Sequence, residues 1–318
     1  MTTTSLRTAY GETLVELGKE NRNIVVLEAD LGKSTMSILF QNAYPERFFE
    51  MGIAEQNMAS TAAGLALTGK IPFISSFATF ASGRCYDQLR QTISIARLNV
   101  KICGSSSGLS DFGDGSTHQS VEDVAIMRAI PNMTVLVPAD AVETRKMVKA
   151  MVGWRGPVYL RVSRSELPIL TSEEGEYQIG KLYPLREGKH VVVFANGVML
   201  SKSLEAAEAL EKDGISVKVV NVSTVKPLDR QAVIDCTQGC WGAVTAEEHS
   251  VIGGLGSAIA EALRGVVGLP LEFVGIQDRF GTSAENYPEL LAHYGLTSEA
   301  IVSCIRKMRP SSVASATR

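Results

Sequence analysis

Residues 49–90 read FEMGIAEQNMASTAAGLALTGKIPFISSFATFASGRCYDQLR, and the order of patterns in them decides the fold class. Gly52 supplies a turn, Glu55 enters a helix, and residues 58–67 continue it with small and apolar side chains. The short apolar run at 71–75 then has the character of a strand. Similar runs recur at 24–27, 100–103, 133–137 and 158–162, each separated from the next by a segment of helical period. That alternation implies parallel strands joined by crossover helices, so the class is α/β. In the first helix Leu6, Tyr10, Leu14 and Leu17 fall on one face, with Gly18 expected near its end.

The pattern lapses at 166–188, a polar stretch holding Pro168, Gly175, Pro184 and Gly188. It predicts a linker between two parallel-sheet α/β domains, 1–165 and 189–308. In the second, HVVVFANG, SVKVVNV, GAVTAEE and LEFVGI read as strands and SLEAAEALEKDG as a helix. The tail at 309–318, ending PSSVASATR, is expected to be disordered.

A chain of 318 residues with 45% hydrophobic and 20% charged side chains has the balance of a globular protein with room for two domains. Net charge is −3 with both signs intermixed, which excludes the basic footprint of a nucleic-acid binder. No long apolar run or secretory leader is present, so membrane attachment is not expected and a cytoplasmic location is. Five cysteines, an odd number, argue against a disulfide framework. Cys236 and Cys240 lack the second pair or nearby histidine that a metal site needs, so no metal site is expected on this chain.

Two segments carry chemistry. Glu55 enters an apolar helix, where a carboxylate faces desolvation unless a cation or donor meets it. On the residues alone, a solvated glutamate in the first turn, favoured by the helix dipole, is the preferred reading. The second segment, 105–133, is a Gly/Ser-rich loop running into a helix, with Ser120 and Asp123 spaced as a capping box. Its loop presents Asp114 and His118, and imidazole is suited to proton exchange near neutrality.

G-I-A-E-Q, the small-residue helix, the strand and S-F-A-T-F together resemble the cofactor-activating region of transketolases and deoxyxylulose-phosphate synthases. In those enzymes the glutamate hydrogen-bonds the aminopyrimidine of thiamine diphosphate and an aromatic ring stacks on it. The resemblance places these roles on Glu55 and Phe80, with Phe77 as the other candidate for stacking. A carboxyl group kept largely protonated by an apolar pocket favours the imino tautomer, whose nitrogen can take the thiazolium C2 proton. G-D-G-S-T-H-Q is similar to the signature whose aspartate and histidine contact the sugar near its reacting carbonyl, implying Asp114 and His118. By the same resemblance Arg7, Ser34 and Arg164 match positions that hold the sugar phosphate, and Asp30 an acidic position near the cofactor. Where transketolases place a further phosphate-binding histidine, this chain has Ser106.

TVKPLD and EEHSVIGGLGSAIAE resemble the third transketolase domain, which has no catalytic residues in the family and mainly supports association. Its G-G-L-G-S-A lacks the spacing and the distal acidic residue of a dinucleotide loop. Complete family members hold the cofactor diphosphate and Mg2+ through a G-D-G followed by N-N, and that pattern is absent. The resemblance therefore implies the C-terminal subunit of a two-chain, α2β2 transketolase, transferring a two-carbon ketol unit from an anionic ketose to an aldose. Its N-terminal partner would hold the diphosphate and Mg2+. Other readings are a deoxyxylulose-phosphate-forming enzyme, a 2-oxo acid dehydrogenase β subunit, or a non-catalytic assembly subunit. The split architecture weighs against the first, the G-D-G-S-T-H-Q string against the second, and intact Glu55, Asp114 and His118 against the third.

Overall fold

The computed structural model describes residues 3–310. The tail expected to be disordered lies, from residue 311 onward, outside the described residues. The chain begins with β1 (Thr3–Ser5), α1 (Leu6–Glu20), β2 (Ile24–Glu28), α2 (Gly32–Thr35), α3 (Ile38–Ala43) and β3 (Phe48–Glu50). It continues through α4 (Glu55–Leu67), β4 (Ile71–Phe77), β5 (Lys101–Ser105), α5 (Asp123–Ala129), β6 (Thr134–Leu136), α6 (Ala141–Gly153) and β7 (Val158–Arg161). Next come β8 (Glu166–Pro168), β9 (Tyr183–Arg186), β10 (Val191–Ala195), α7 (Met199–Glu211), β11 (Val217–Asn221), β12 (Thr224–Lys226) and α8 (Arg230–Cys236). It ends with β13 (Gly242–Ser250), α9 (Leu255–Ala262), β14 (Leu271–Ile276), α10 (Tyr287–His293) and α11 (Ser298–Met308).

Two mostly parallel sheets result. The first has the order β12-β6-β7-β5-β4-β2-β3, with only β12 antiparallel, and the second β14-β13-β10-β11-β9, with only β9 antiparallel. The apolar runs at 24–27, 71–75, 100–103, 133–137 and 158–162 all lie on strands of the first sheet. Helices cover both faces of such a strand, which is why β2 and β5 are buried throughout their length.

Residues 166–188 contain β8, which pairs with β1, and β9, which edges the second sheet. Between them Tyr177 is buried with its hydroxyl 2.6 Å from Thr224 Oγ1. From the other side β12 reaches across to pair with β6. One contiguous apolar cluster includes Leu160 of the first sheet and Val193 and Val219 of the second. The two units thus share a core.

Of two local expectations, Gly18 near the end of the first helix is met, and the capping box gives way to tertiary packing. Helix α1 runs past Gly18 to Glu20 and ends at Asn21, whose N–H bonds Leu17 O. Gly18 is there for close approach, since a Cβ would lie 2.6 Å from the Phe40 ring. The capping box at Ser120 and Asp123 does not form: α5 starts at Asp123 itself, and the Asp123 carboxylate accepts from Arg161 Nε and Tyr159 Oη. Those buried donors outcompete a backbone amide for it.

Gly11 is a second contact glycine. A Cβ there would press on the backbone carbonyl of Met36, which cannot rotate away as a side chain can. Gly11→Ala is therefore expected to destabilise the chain by about 1–3 kcal/mol despite alanine's better helix propensity. A urea midpoint equal to or above that of the parent would contradict this.

Candidate active site

In open α/β sheets, ligands sit beyond the carboxyl ends of the strands. The candidate residues follow that rule. Asp30 and Ser34 come after β2, Phe77 and Phe80 at and after β4, Asp114 and His118 after β5, and Arg164 after β7. Glu55 is the first residue of α4, which follows β3, and Arg7 lies in the first turn of α1.

One group gathers around Glu55. Its side chain is 2% exposed, Oε1 lies 3.5 Å from Arg84 Nη1, and Oε2 is buried with no hydrogen-bond partner among the described residues. The cation that desolvation calls for is thus Arg84, whose guanidinium also lies 4.7 Å from the centre of the Phe80 ring. Phe77 and Phe80 stack, 6.1 Å apart and 14° from parallel, and His118 meets both edge-on, with its ring 5.4 Å from that of Phe80. Phe77 is buried, whereas Phe80 is half-buried. Residues Phe80–Arg84 and Gln88–Ser94 wind as wider π-helical turns, a geometry that concentrates at functional sites. His118 Nδ1 is 2.9 Å from Thr117 Oγ1.

A second group gathers around Arg164. Its Nη1 donates to Asp111 Oδ2 at 2.9 Å, and its backbone N–H donates to Ser110 Oγ at 3.0 Å. Arg7 donates to the carbonyl oxygen of Ser34 at 2.6 Å. Burial and the nearby charge of Arg164 both lower the pKa of Arg7, so two guanidinium groups act on one region. Burial raises Asp111 above the ordinary carboxylate range, with Arg164 opposing, Asp114 reinforcing and His118 opposing. Asp111 thus couples this group electrostatically to Asp114 and His118. Guanidinium groups have the charge and donor geometry that suit an anion.

Asp30 is exposed, sits in the left-handed region at φ 61° and makes its polar contact through its backbone N–H, to Glu50 Oε1. Ser106 also has a positive φ, 51°, and its hydroxyl is buried without a partner.

Three participants escaped sequence reasoning. Asp111 lies in the same loop as Asp114, and Arg84 shares a segment with Phe80, but nothing local marks either as a partner of Arg164 or Glu55. Glu28, which directly follows the apolar run 24–27, is fully buried and accepts from Thr35 Oγ1, Ser37 Oγ and the Ala29 N–H. It pins the turn that presents Ser34, and burial outweighs its donors to raise its pKa from 4.5 to about 7. Among the described residues no group of three or more His, Cys, Asp or Glu is arranged to hold a metal, and no helix is long and apolar enough to cross a membrane.

Residues 2–169 match the family description "Transketolase, pyrimidine binding domain", and residues 180–301 match "Transketolase, C-terminal domain". A putative transketolase C-terminal section of Methanocaldococcus jannaschii is 44% identical over 299 residues, covering 93% of each chain. A 6-deoxy-6-sulfo-D-fructose transketolase subunit of a Clostridium species is 43% identical over 298 residues, covering 93% of this chain and 92% of that one. Among solved structures, a split-gene transketolase described as an inactive β4 tetramer superposes with a TM-score of 0.88 at 47% identity, covering 96% and 98% of the two chains. By sequence and by fold this chain belongs to the transketolase family, of which it carries the pyrimidine-binding and C-terminal domains.

Proposed function

We propose that this chain is the C-terminal subunit of a two-chain transketolase that moves a two-carbon ketol unit from an anionic ketose to an aldose. The observation that carries the reading is a half-built site. Among the described residues Glu55 Oε2 is buried and unpartnered and the Phe77 and Phe80 rings stack with His118 edge-on to them, and the relatives matched over more than nine-tenths of their own length are themselves named a C-terminal section and a subunit. An orphaned carboxylate oxygen and a half-buried aromatic side chain fit the edge and the plane of an aminopyrimidine. Thiamine diphosphate, bound there, supplies a nucleophilic carbon able to attack a ketose carbonyl.

Glu55 holds the pyrimidine edge and relays a proton to it, and Phe80, backed by Phe77, receives the plane of the ring. His118 exchanges a proton with a sugar hydroxyl near the reacting carbonyl, and Asp114 orients that sugar. Arg7 and Arg164 receive the anionic end, with the Ser34 turn holding Arg7 in place. Asp30 faces the cofactor side. Mg2+ and the diphosphate fall to an N-terminal partner subunit, with two copies of each chain in the active enzyme. The inactive β4 tetramer among the similar structures supports the need for that partner.

The test is to assemble the chain with an N-terminal transketolase subunit and assay two-carbon transfer with thiamine diphosphate and Mg2+. Donors are a ketose phosphate and 6-deoxy-6-sulfofructose, the sugar named for the Clostridium relative, because Ser106 replaces the family's histidine. Transfer is expected from the pair and not from this chain alone. Full turnover by the isolated chain would overturn the two-chain reading; no transfer from either donor by the pair would overturn ketol transfer.

A further inference from the structure

The loop that carries Asp111, Asp114 and His118 leaves the first sheet after β5 and returns at Ser120. Its base closes on itself through Gly108 N–H to Ser120 O at 3.0 Å. Beyond that base, much of its support comes from the other unit. Leu109 N–H donates to Glu248 Oε1 at 2.8 Å, across 139 residues of sequence. Ala284 N–H donates to Phe112 O at 2.9 Å, and Gln119 Nε2 bridges Asp111 O, at 3.1 Å, and Thr282 O, at 3.0 Å.

Glu248 is built to hold this position. It is 4% exposed near the end of β13, and its Oε1 also accepts from Tyr287 Oη at 2.8 Å. Gly108, at φ 61°, brings the loop backbone so close that a Cβ there would lie 2.5 Å from the Glu248 carboxyl carbon. The carboxylate is thus fixed by Tyr287 on its own unit and reads one backbone amide of the loop. That amide is two residues from Asp111, the partner of Arg164.

We propose that Glu248 is a positioning residue: the C-terminal domain, through Glu248 with Thr282 and Ala284, sets the loop that presents Asp111, Asp114 and His118 to the sugar. This rests on the ketol-transfer reading for its kinetic consequence and on geometry alone for its structural one. Glu248 touches neither sugar nor cofactor and acts through Leu109. Its loss loosens how the substrate is gripped and leaves the cofactor pocket around Glu55 intact.

Hydrogen exchange on the full chain alone, followed by kinetics of the assembled enzyme, tests this in Glu248→Ala, Glu248→Gln and Gln119→Leu. In Glu248→Ala, amides 109–119 are expected to exchange about tenfold faster or more, while those of β4 and β10 keep their parental rates. The ketose KM is expected to rise about tenfold with kcat within about threefold. Glutamine keeps an oxygen for Leu109 and Tyr287, so Glu248→Gln recovers most of both effects. Gln119→Leu cuts the tie to Thr282 without leaving a buried charge and is expected to reproduce the loop-confined exchange if Glu248→Ala does not fold. The proposal is overturned if exchange accelerates equally throughout the chain, if amides 109–119 are unmoved, or if Glu248→Gln is as impaired as Glu248→Ala. An inactive parental assembly would instead refute the ketol-transfer reading, and the exchange result would still decide the role of Glu248.

Discussion

An assembled enzyme carrying Glu55→Gln is expected to lose ketol transfer by about 10³-fold while the chain keeps its fold. Glutamine matches the volume of glutamate, so the packing of Met58, Ala59 and Ala62 along the same helix is undisturbed. Its amide oxygen can still face Arg84, which replaces the 3.5 Å contact of Oε1. An amide cannot, however, accept and return a proton at the position of Oε2, the buried oxygen that has no partner among the described residues. The measurement is deuterium exchange at C2 of the thiazolium in the assembled variant, with circular-dichroism melting of the chain alone as the control for folding. Glu55→Asp separates proton relay from reach, since it keeps the carboxyl group and withdraws it by one methylene; an intermediate loss is expected. Near-parental C2 exchange in Glu55→Gln would remove Glu55 from the relay.

Much of the first sheet was legible because its strands are covered on both faces, which leaves continuous apolar runs such as 24–27 that sequence periodicity detects. The short antiparallel strands β1, β8 and β12 have three residues each and little apolar character, so their pairing is visible only in three dimensions. Gly18 shows a different limit. A glycine that ends a helix and one that admits a neighbouring ring look the same in sequence, and only the approach of Phe40 separates them. Asp123 repeats the point with a carboxylate, which caps a helix or pairs with a buried cation according to what comes near.

At the site, the positions that the sequence could propose are those tied to a contiguous string: Glu55, Phe80, Asp114 and His118. The groups that meet them could not. Arg84 lies 29 residues from Glu55 and Asp111 lies 53 from Arg164, and neither pairing has a local signature. Glu248 is farther still from the amide it holds, and its segment had been assigned by resemblance to a domain concerned with association. Residues that hold or tune a site through tertiary contacts are those a motif leaves out.

The largest stability effect is expected from Asp123→Asn, which should cost about 3–5 kcal/mol. Asp123 and Arg161 are both buried, and Nε lies 2.9 Å from Oδ2 and 3.1 Å from Oδ1. Burial lowers the Arg161 pKa, but Asp123 and Glu248 more than reverse this, so the guanidinium stays charged inside the fold. Asparagine removes the nearer anion and leaves that charge facing Glu248, whose carboxylate is 3.8 Å away. Arg161 still donates to the carbonyl oxygens of Ser120 and Glu248, which limits the loss without neutralising the charge. Urea unfolding followed by far-ultraviolet circular dichroism reads the effect, and a loss below about 1 kcal/mol would mean that the pair is solvated like a surface bridge. The double variant Asp123→Leu with Arg161→Met supplies the decisive comparison. Apolar replacements leave neither Asp123 nor Arg161 as an unpaired charge, and Glu248 keeps its Leu109 and Tyr287 donors, so the double variant is expected to be more stable than Asp123→Asn alone, although more contacts have been removed. Strict additivity of the two sites would show that Asp123 and Arg161 do not act as a pair.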